Sequence, residues 1–306
     1  MNKPEPVALQ LGIDTGGTFT DFVLFDGHSL RVHKVLSTPQ APEQAILQGI
    51  RELGLATDGL RVVHGSTVAT NAVLEHKGVR TVYISNRGLA DVLTIGRQAR
   101  RELYNLQPEV LRAPVPADCC LEVGARIGAD GDRISDFSPD DKAALRAAIE
   151  TIRPAAVAIN LLFSFLDDAD EKTVEDWLPD GLFVSRSSDV LPEYREYERG
   201  IATWLNAWTG PLVAGYLERL AQQLSPAPLA VMQSSGGTVS ADRAGSKAVH
   251  LLLSGPAGGL TGAQFIGQQS GQSRLMTFDT VSYTHLRAHE TLRSISYAVF
   301  CLKMGG

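Results

Sequence analysis

The sequence predicts an α/β fold that opens with a three-stranded antiparallel meander and continues as alternating helices and strands. Three observations carry this expectation. Two β-prone runs, residues 9–13 and 19–25, flank a turn of small residues, and a third run follows at 30–36. From Pro42 onward, stretches of helical period alternate with short apolar runs. Residues 155–163 are apolar enough for a central strand buried on both faces.

The elements follow in order. Pro42 opens a helix with Ala45, Ile46, Ile50 and Leu53 on one face, and Gly54 stops it. Residues 61–63 form a short strand leading to His64. Ser66 or Thr67 caps a helix with Val68, Ala72 and Val73 inward, ended by Gly78. Residues 79–85 read as another buried strand, and the prolines between 108 and 116 mark a connector. Residues 121–127 and 133–134 flank Asp130-Gly131-Asp132 as a hairpin. Ser138 starts a helix with Ala144, Leu145, Ala148 and Ile152 inward, and Asp140 and Asp141 sit where the helix dipole favours acid. A helix at 170–178 and a strand at 182–185 complete the first lobe.

Residues 193–224 are the longest helical stretch, which Gly210-Pro211 is expected to split or kink. Its Tyr194, Tyr197, Trp204 and Trp208 fall near helical spacing and read as packing. A strand at 229–233, the turn 234–238 and a second short strand come next. Then the loop 254–259 opens a helix over 260–269, and a last strand, 274–279, ends in Asp279.

At 306 residues the chain has room for two domains, and 44% hydrophobic with 20% charged residues is ordinary for a soluble globular protein. A net charge of −6 argues against a nucleic-acid partner, which leaves a basic footprint. No run approaches a membrane span, and the N-terminus has no apolar stretch of signal-peptide length. Cys119 and Cys120 are adjacent and Cys301 is remote, a pattern with neither a disulfide framework nor metal-ligand spacing. A reducing, cytoplasmic setting is expected.

The chemistry concentrates in residues 14–21, DTGGTFTD. Gly16 and Gly17 let backbone N–H groups converge on an anion without a Cβ in the way. Thr18 and Thr20 add hydroxyl donors, and Asp14 and Asp21 supply the oxygen ligands that Mg²⁺ prefers. A tight hairpin with solvated threonines is the plain alternative; a strand ending in Asp, then TGGT, then a strand favours phosphate. No Lys follows the glycines and no helix opens there, so this is neither a P-loop nor a dinucleotide fingerprint.

His64 stands where a strand gives way to a helix, and reads equally as a proton carrier or as a buried, satisfied histidine. Arg97, Arg100 and Arg101 cluster near Tyr104, as a carboxylate-binding loop or, for Arg100 and Arg101 above all, as solvated surface. Gly236-Gly237 is a second anion nest or merely a turn. Gly255 and Gly258 sit in a glycine-rich loop at a helix N-terminus, which suits an anion.

In the form DTGGTFTD, the first turn resembles the phosphate loop of the hydantoinase A and 5-oxoprolinase family, within the actin-like ATPase superfamily. Residues 64–78, 88–106, 192–200 and 254–259 are similar to further segments of that family, in the same order. The resemblance spans about residues 7–279. It implies a ribonuclease-H-like lobe of actin type, consistent with the order three strands, helix, strand, helix, strand.

It also implies an ATP- and Mg²⁺-dependent amidohydrolase acting on a small cyclic amide such as hydantoin or 5-oxoproline, with a hydantoinase B-type subunit or domain as partner. The γ-phosphoryl group would go to the amide oxygen, since amides are poor electrophiles. On this reading Gly16, Gly17, Thr18 and Thr20 hold phosphates, and Gly236, Gly237, Gly255 and Gly258 belong to further cofactor loops. Asp14 and Asp279 organise the metal or the attacking group, Asp21 joins Asp14 on the metal, and the resemblance tips His64 toward catalysis. A carboxylase subunit of the acetone and acetophenone type is the first alternative within enzymes and a simple sugar or acid kinase the next, with a catalytically inactive folded fragment the alternative outside them.

The implied domains are 1–190, the N-terminal region with the first phosphate loop, and 191–279, the truncated start of the catalytic region. The sequence departs from the family at Gly200, where a hydroxyl residue is expected, and at Ser235, where asparagine is common. The largest departure follows Asp279, where a second glycine-rich phosphate loop is expected and residues 280–306 hold no glycine before the last two. That tail is read as non-native, and the second lobe as truncated.

Overall fold

The computed structural model describes residues 9–38, 40–98, 104–107 and 113–277. Strands β1 (Leu9–Thr15), β2 (Phe19–Phe25) and β3 (Leu30–Leu36) lead into α1 (Pro42–Glu52), β4 (Leu60–Ser66), α2 (Val68–Leu74) and β5 (Thr81–Asn86). There follow α3 (Val92–Ile95), β6 (Cys120–Val123), β7 (Arg126–Ile127), β8 (Arg133–Ser135), α4 (Asp141–Ile152), β9 (Ala156–Asn160) and α5 (Ala169–Trp177). The remainder is β10 (Phe183–Arg186), α6 (Ser187–Val190), α7 (Glu196–Leu224), β11 (Leu229–Met232), β12 (Thr238–Ser240), α8 (Ala241–Ser246) and α9 (Ser254–Gln269). The meander followed by helix, strand, helix and strand is the predicted order.

The chain forms two compact units, one from Met1–Glu75 and Val213–Gly306, the other from His76–Leu212. The first is built on a six-stranded sheet of order β12-β11-β4-β1-β2-β3. Its β1, β4 and β11 run parallel, and the remaining pairings are antiparallel. Alternation decides its faces. Leu11, Ile13, Phe22, Leu24, Leu60 and Val62 are buried, whereas Asp14, Val23 and Val32 point away from that core. In α1, Ala45, Ile46, Gly49 and Ile50 are buried, and Gly49 lets the Phe22 ring approach: a Cβ there would lie 2.2 Å from it.

The second unit is an all-parallel sheet of order β10-β9-β5-β6. Every residue of β5 and β9 is buried, as expected of central parallel strands covered on both faces.

Several expectations are corrected. The run 121–127 is not one strand: β6 pairs with β5, while β7 pairs only with β8. The break falls at Gly124, whose N–H donates to Asp141 Oδ2 at 2.9 Å. That carboxylate also accepts from Ser138 N and binds Arg87, so Asp141 anchors the loop and α4 begins there, with Leu145, Ile149 and Ile152 inward and Ala144 exposed. Helix α7 runs unbroken through Gly210-Pro211. Proline costs about 3 kcal/mol in a helix interior, but Trp204, Ala207, Val213, Tyr216 and Leu217 are buried on either side of it. Gly210 is a packing contact here, since a Cβ on it would lie 2.2 Å from the Phe183 ring.

Trp204 and Trp208 stack at 5.1 Å as packing residues, but Tyr194 precedes the helix and is 66% exposed. Helix α2 ends at Leu74, before Gly78, and buries Ala69 in place of Val68. Helix α9 starts at Ser254, so Gly255 and Gly258 lie within its first turns. Left-handed Leu253 turns the chain in, and Pro256 falls where a missing N–H costs no helical bond. Residues 274–277 are not a strand, and Asp279, Arg100, Arg101 and residues 280–306 lie outside the described residues.

Candidate functional site

In the first unit, β1, β4 and β11 end side by side, with Thr15 opposite Ser66 and Val231 opposite His64. Four segments gather beyond this carboxyl edge: the turn 16–18, the start of α2, the turn 233–237 and the start of α9. The edge of a parallel sheet is where an α/β fold binds its ligand. The segments are joined by hydroxyl groups. Thr67 Oγ1 donates to the Thr15 carbonyl at 2.9 Å, so this residue ties α2 to β1 instead of capping its own helix. Ser254 Oγ donates to the Ser66 carbonyl at 3.4 Å, and Leu253 N to Thr70 Oγ1 at 3.3 Å. A Cβ on Gly236 would lie 3.3 Å from Thr261 Oγ1, and Gly236 has a φ of +84°, so this turn requires glycine.

The first turn is held from beneath. Gly16 N donates to the Phe19 carbonyl at 3.0 Å, and the Gly16 carbonyl accepts from Ser37 Oγ at 2.8 Å. Ser37 Oγ is also 3.0 Å from Thr20 Oγ1. Thr20 is therefore fully buried and braces the turn, while Thr18 is exposed on its outside. A Cβ on Gly16 would meet the Phe19 carbonyl at 3.1 Å; one on Gly17 meets nothing within 4 Å. Gly255 is open in the same way, and Gly237 and Gly258 have only ordinary contacts.

Asp14 is exposed and leans over Gly65, where a Cβ would come within 3.1 Å of its Oδ1. Asp21 stands opposite Asp14 across the hairpin, with Lys34 Nζ 2.9 Å from its carboxylate. The two acids predicted for a metal are thus neighbours across the hairpin. Among the described residues no cluster of three or more His, Cys, Asp and Glu is placed to hold a metal.

His64 occupies the buried position of its two readings. It is fully enclosed, and its Nε2 is 2.8 Å from the Tyr216 hydroxyl of α7. Nδ1 lies beside the Ile13 main chain without a well-formed hydrogen bond. Burial pushes the imidazole down to about 4 from its ordinary 6.5, the Ile13 backbone opposing this weakly. The folded state therefore refuses a proton that the unfolded chain accepts between those values, and stability falls as pH falls through that window. The loss is on the order of 3 kcal/mol. Urea unfolding between about pH 7 and about pH 4.5 should show most of it, and His64→Gln should flatten the difference. An unchanged pH dependence in the variant would contradict this assignment.

The second unit contains a buried polar network that sequence reading missed. Arg199, fully buried in α7, donates to Asn160 Oδ1 and Ser187 Oγ at 3.1 Å, to the Glu193 carbonyl at 2.6 Å and to the Leu161 carbonyl at 2.8 Å. Ser187 Oγ donates to buried Glu171 at 2.5 Å. Asn160 Nδ2 reaches the Tyr83 hydroxyl at 2.8 Å. This explains Gly200, because a Cβ there would fall 2.7 Å from Asn160 Nδ2 and 2.8 Å from the Tyr83 hydroxyl. Arg97 makes a two-pronged pair with Glu198, its Nε 2.8 Å from Oε1.

Residues 10–180 match the hydantoinase/oxoprolinase N-terminal region, and residues 199–284 match the hydantoinase/oxoprolinase family. The chain is 33% identical to caprolactamase subunit alpha of Pseudomonas jessenii over 88% of its length and 42% of that protein's. It is 32% identical to 5-oxoprolinase 1 of Arabidopsis thaliana over 83% of its length and 23% of that protein's. Among solved structures, nucleotide-free acetone carboxylase superposes with a TM-score of 0.76 at 25% identity, over 86% of this chain and 41% of that one. The chain thus spans less than half the length of these relatives.

Proposed function

The chain belongs to the hydantoinase/oxoprolinase family, and on that premise we propose that it carries a phosphate-binding lobe of an ATP-dependent enzyme that opens a cyclic amide. The observation that supports this most is the gathering of three glycine-rich segments at one sheet edge, with Gly17 and Gly255 open to solvent space.

The residues fit the groups this reading requires. Backbone N–H groups at 17–18 and at the start of α9 point an anion site at phosphate without side-chain obstruction. Asp14 would hold Mg²⁺, a hard cation that needs only one or two carboxylates because it keeps waters and takes phosphate oxygens. Asp21, engaged by Lys34, would act at one remove, setting the local charge. When bound, ATP supplies the phosphoryl group that makes a poor amide electrophile reactive. The chain's own residues fix the turn through Ser37, Thr20 and Thr67, so little ordering remains on binding. His64 would serve as the strut between β4 and α7. A hydantoinase B-type second subunit fits the naming of the caprolactamase relative as an alpha subunit.

A second reading, phosphorylation ahead of a ketone carboxylation, is favoured by the likeness to acetone carboxylase. ADP release separates the two. The protein, extended to the length of its relatives, should release ADP with hydantoin, 5-oxoproline or caprolactam. Release with acetone and bicarbonate alone would replace the amide reading by the carboxylase one.

A further inference from the structure

The first turn is held by a residue outside it. Ser37 follows β3 and reaches the turn twice. Its N–H donates to the Thr18 carbonyl at 2.9 Å, and its Oγ donates to the Gly16 carbonyl at 2.8 Å. A hydroxyl has one proton to donate, and that of Ser37 goes to Gly16. The 3.0 Å contact with Thr20 Oγ1 therefore runs from Thr20 to Ser37, which commits the Thr20 proton inside the protein.

Peptide geometry converts the Ser37 bond into a direction. The Gly16–Gly17 peptide is trans and planar, so its N–H points opposite to its C=O. Holding the Gly16 carbonyl on Ser37 thus aims the Gly17 N–H away from Ser37 and from buried Thr20. That N–H has no partner among the described residues. The preceding peptide is fixed separately at both ends: the Thr15 carbonyl accepts from Thr67 Oγ1, and Gly16 N donates to the Phe19 carbonyl. Glycine on both sides leaves the Gly16–Gly17 peptide the freest of the turn to rotate, and the Ser37 hydroxyl is what holds it. We infer, on the phosphate-binding reading of this turn, that Ser37 is a positioning residue: through the Gly16 carbonyl it presents the Gly17 N–H to an oxyanion of the kind a diphosphate carries. Removing the hydroxyl spares the bonds from Ser37 N to Thr18 and from Gly16 N to Phe19, so the turn survives while the aim of one donor is lost.

Two-dimensional proton–nitrogen NMR of the purified protein, titrated with inorganic pyrophosphate, tests this through the Gly17 amide signal. In the wild type that signal should move downfield as the N–H bonds to the anion. Ser37→Ala should bind pyrophosphate about five-fold more weakly, the scale of one hydrogen bond, and lose most of the Gly17 shift. Ser37→Thr keeps the hydroxyl and should restore both. Urea unfolding of the same proteins is the control, because a purely structural role would lower the midpoint and leave the Gly17 response of the folded protein intact. A Gly17 response in Ser37→Ala equal to that of the wild type, or no recovery in Ser37→Thr, would overturn the inference and leave the phosphate-binding reading standing. A wild-type Gly17 signal indifferent to pyrophosphate would remove that reading, and the role of Ser37 with it.

Discussion

In the protein extended to the length of its relatives, replacing Gly17 by valine is expected to reduce ATP turnover by at least 100-fold while leaving the fold in place. The argument rests on where the new side chain goes. A Cβ at Gly17 meets no protein atom within 4 Å, and the residue is not among those with positive φ, so the backbone tolerates it. Surface substitutions of that kind stay within about 0.5 kcal/mol. On the phosphate-loop proposal, the valine would instead fill open space that the ligand needs. Loss of one aligned donor in a site of this type costs on the order of 10² to 10³ in rate. ADP release and urea unfolding, measured on the same variant, check both halves. Gly16→Val is the contrast, because its Cβ would press on the Phe19 carbonyl at 3.1 Å and should cost stability as well. Wild-type turnover in the Gly17 variant would remove the phosphate-loop assignment.

Arg199→Met is expected to destabilise the second unit by about 3–5 kcal/mol, the cost of breaking a buried charge network from one side. Burial already holds this guanidinium below its ordinary pKa, with Glu171 and Tyr83 opposing. Removing it takes a cation away from fully buried Glu171, which keeps its bonds from Leu161 N, Ser187 Oγ and Ser188 N, and leaves the Leu161 and Glu193 carbonyls without their charged donor. Lysine keeps the charge but not the fork, so Arg199→Lys should fall between the two. A loss below about 1 kcal/mol in urea unfolding of the methionine variant would mean that water or rearrangement replaces the network.

The meander, the alternation after it and the glycine turns were legible because each rests on local chemistry: period, turn residues and helix starts. The core strand near residues 156–160 was legible because an apolar run that long has nowhere else to go. What failed was non-local. Gly210 reads as a helix breaker until the Phe183 ring is seen against it. Asp141 reads as one of several acids at a helix start, although it alone reaches Gly124 and Arg87. Thr20 and Thr18 look alike in the sequence, and strand alternation puts one inside and the other outside. The only local hint of the Arg199 network was a charged residue recurring among aromatic ones in residues 193–200.

The first unit is interrupted: its sheet needs β11, yet the whole of His76–Leu212 is made between α2 and that strand. The hydrogen bond from Thr57 to Ser225 closes a separation of 168 residues. Bringing such distant segments together costs loop entropy, and partners this remote in sequence meet slowly. A collapsed insert shortens the effective loop, so the all-parallel unit should form first and act as a splint for β4 and β11. Lesions such as Arg199→Met would then slow acquisition of the six-stranded sheet, although no atom of that side chain belongs to it.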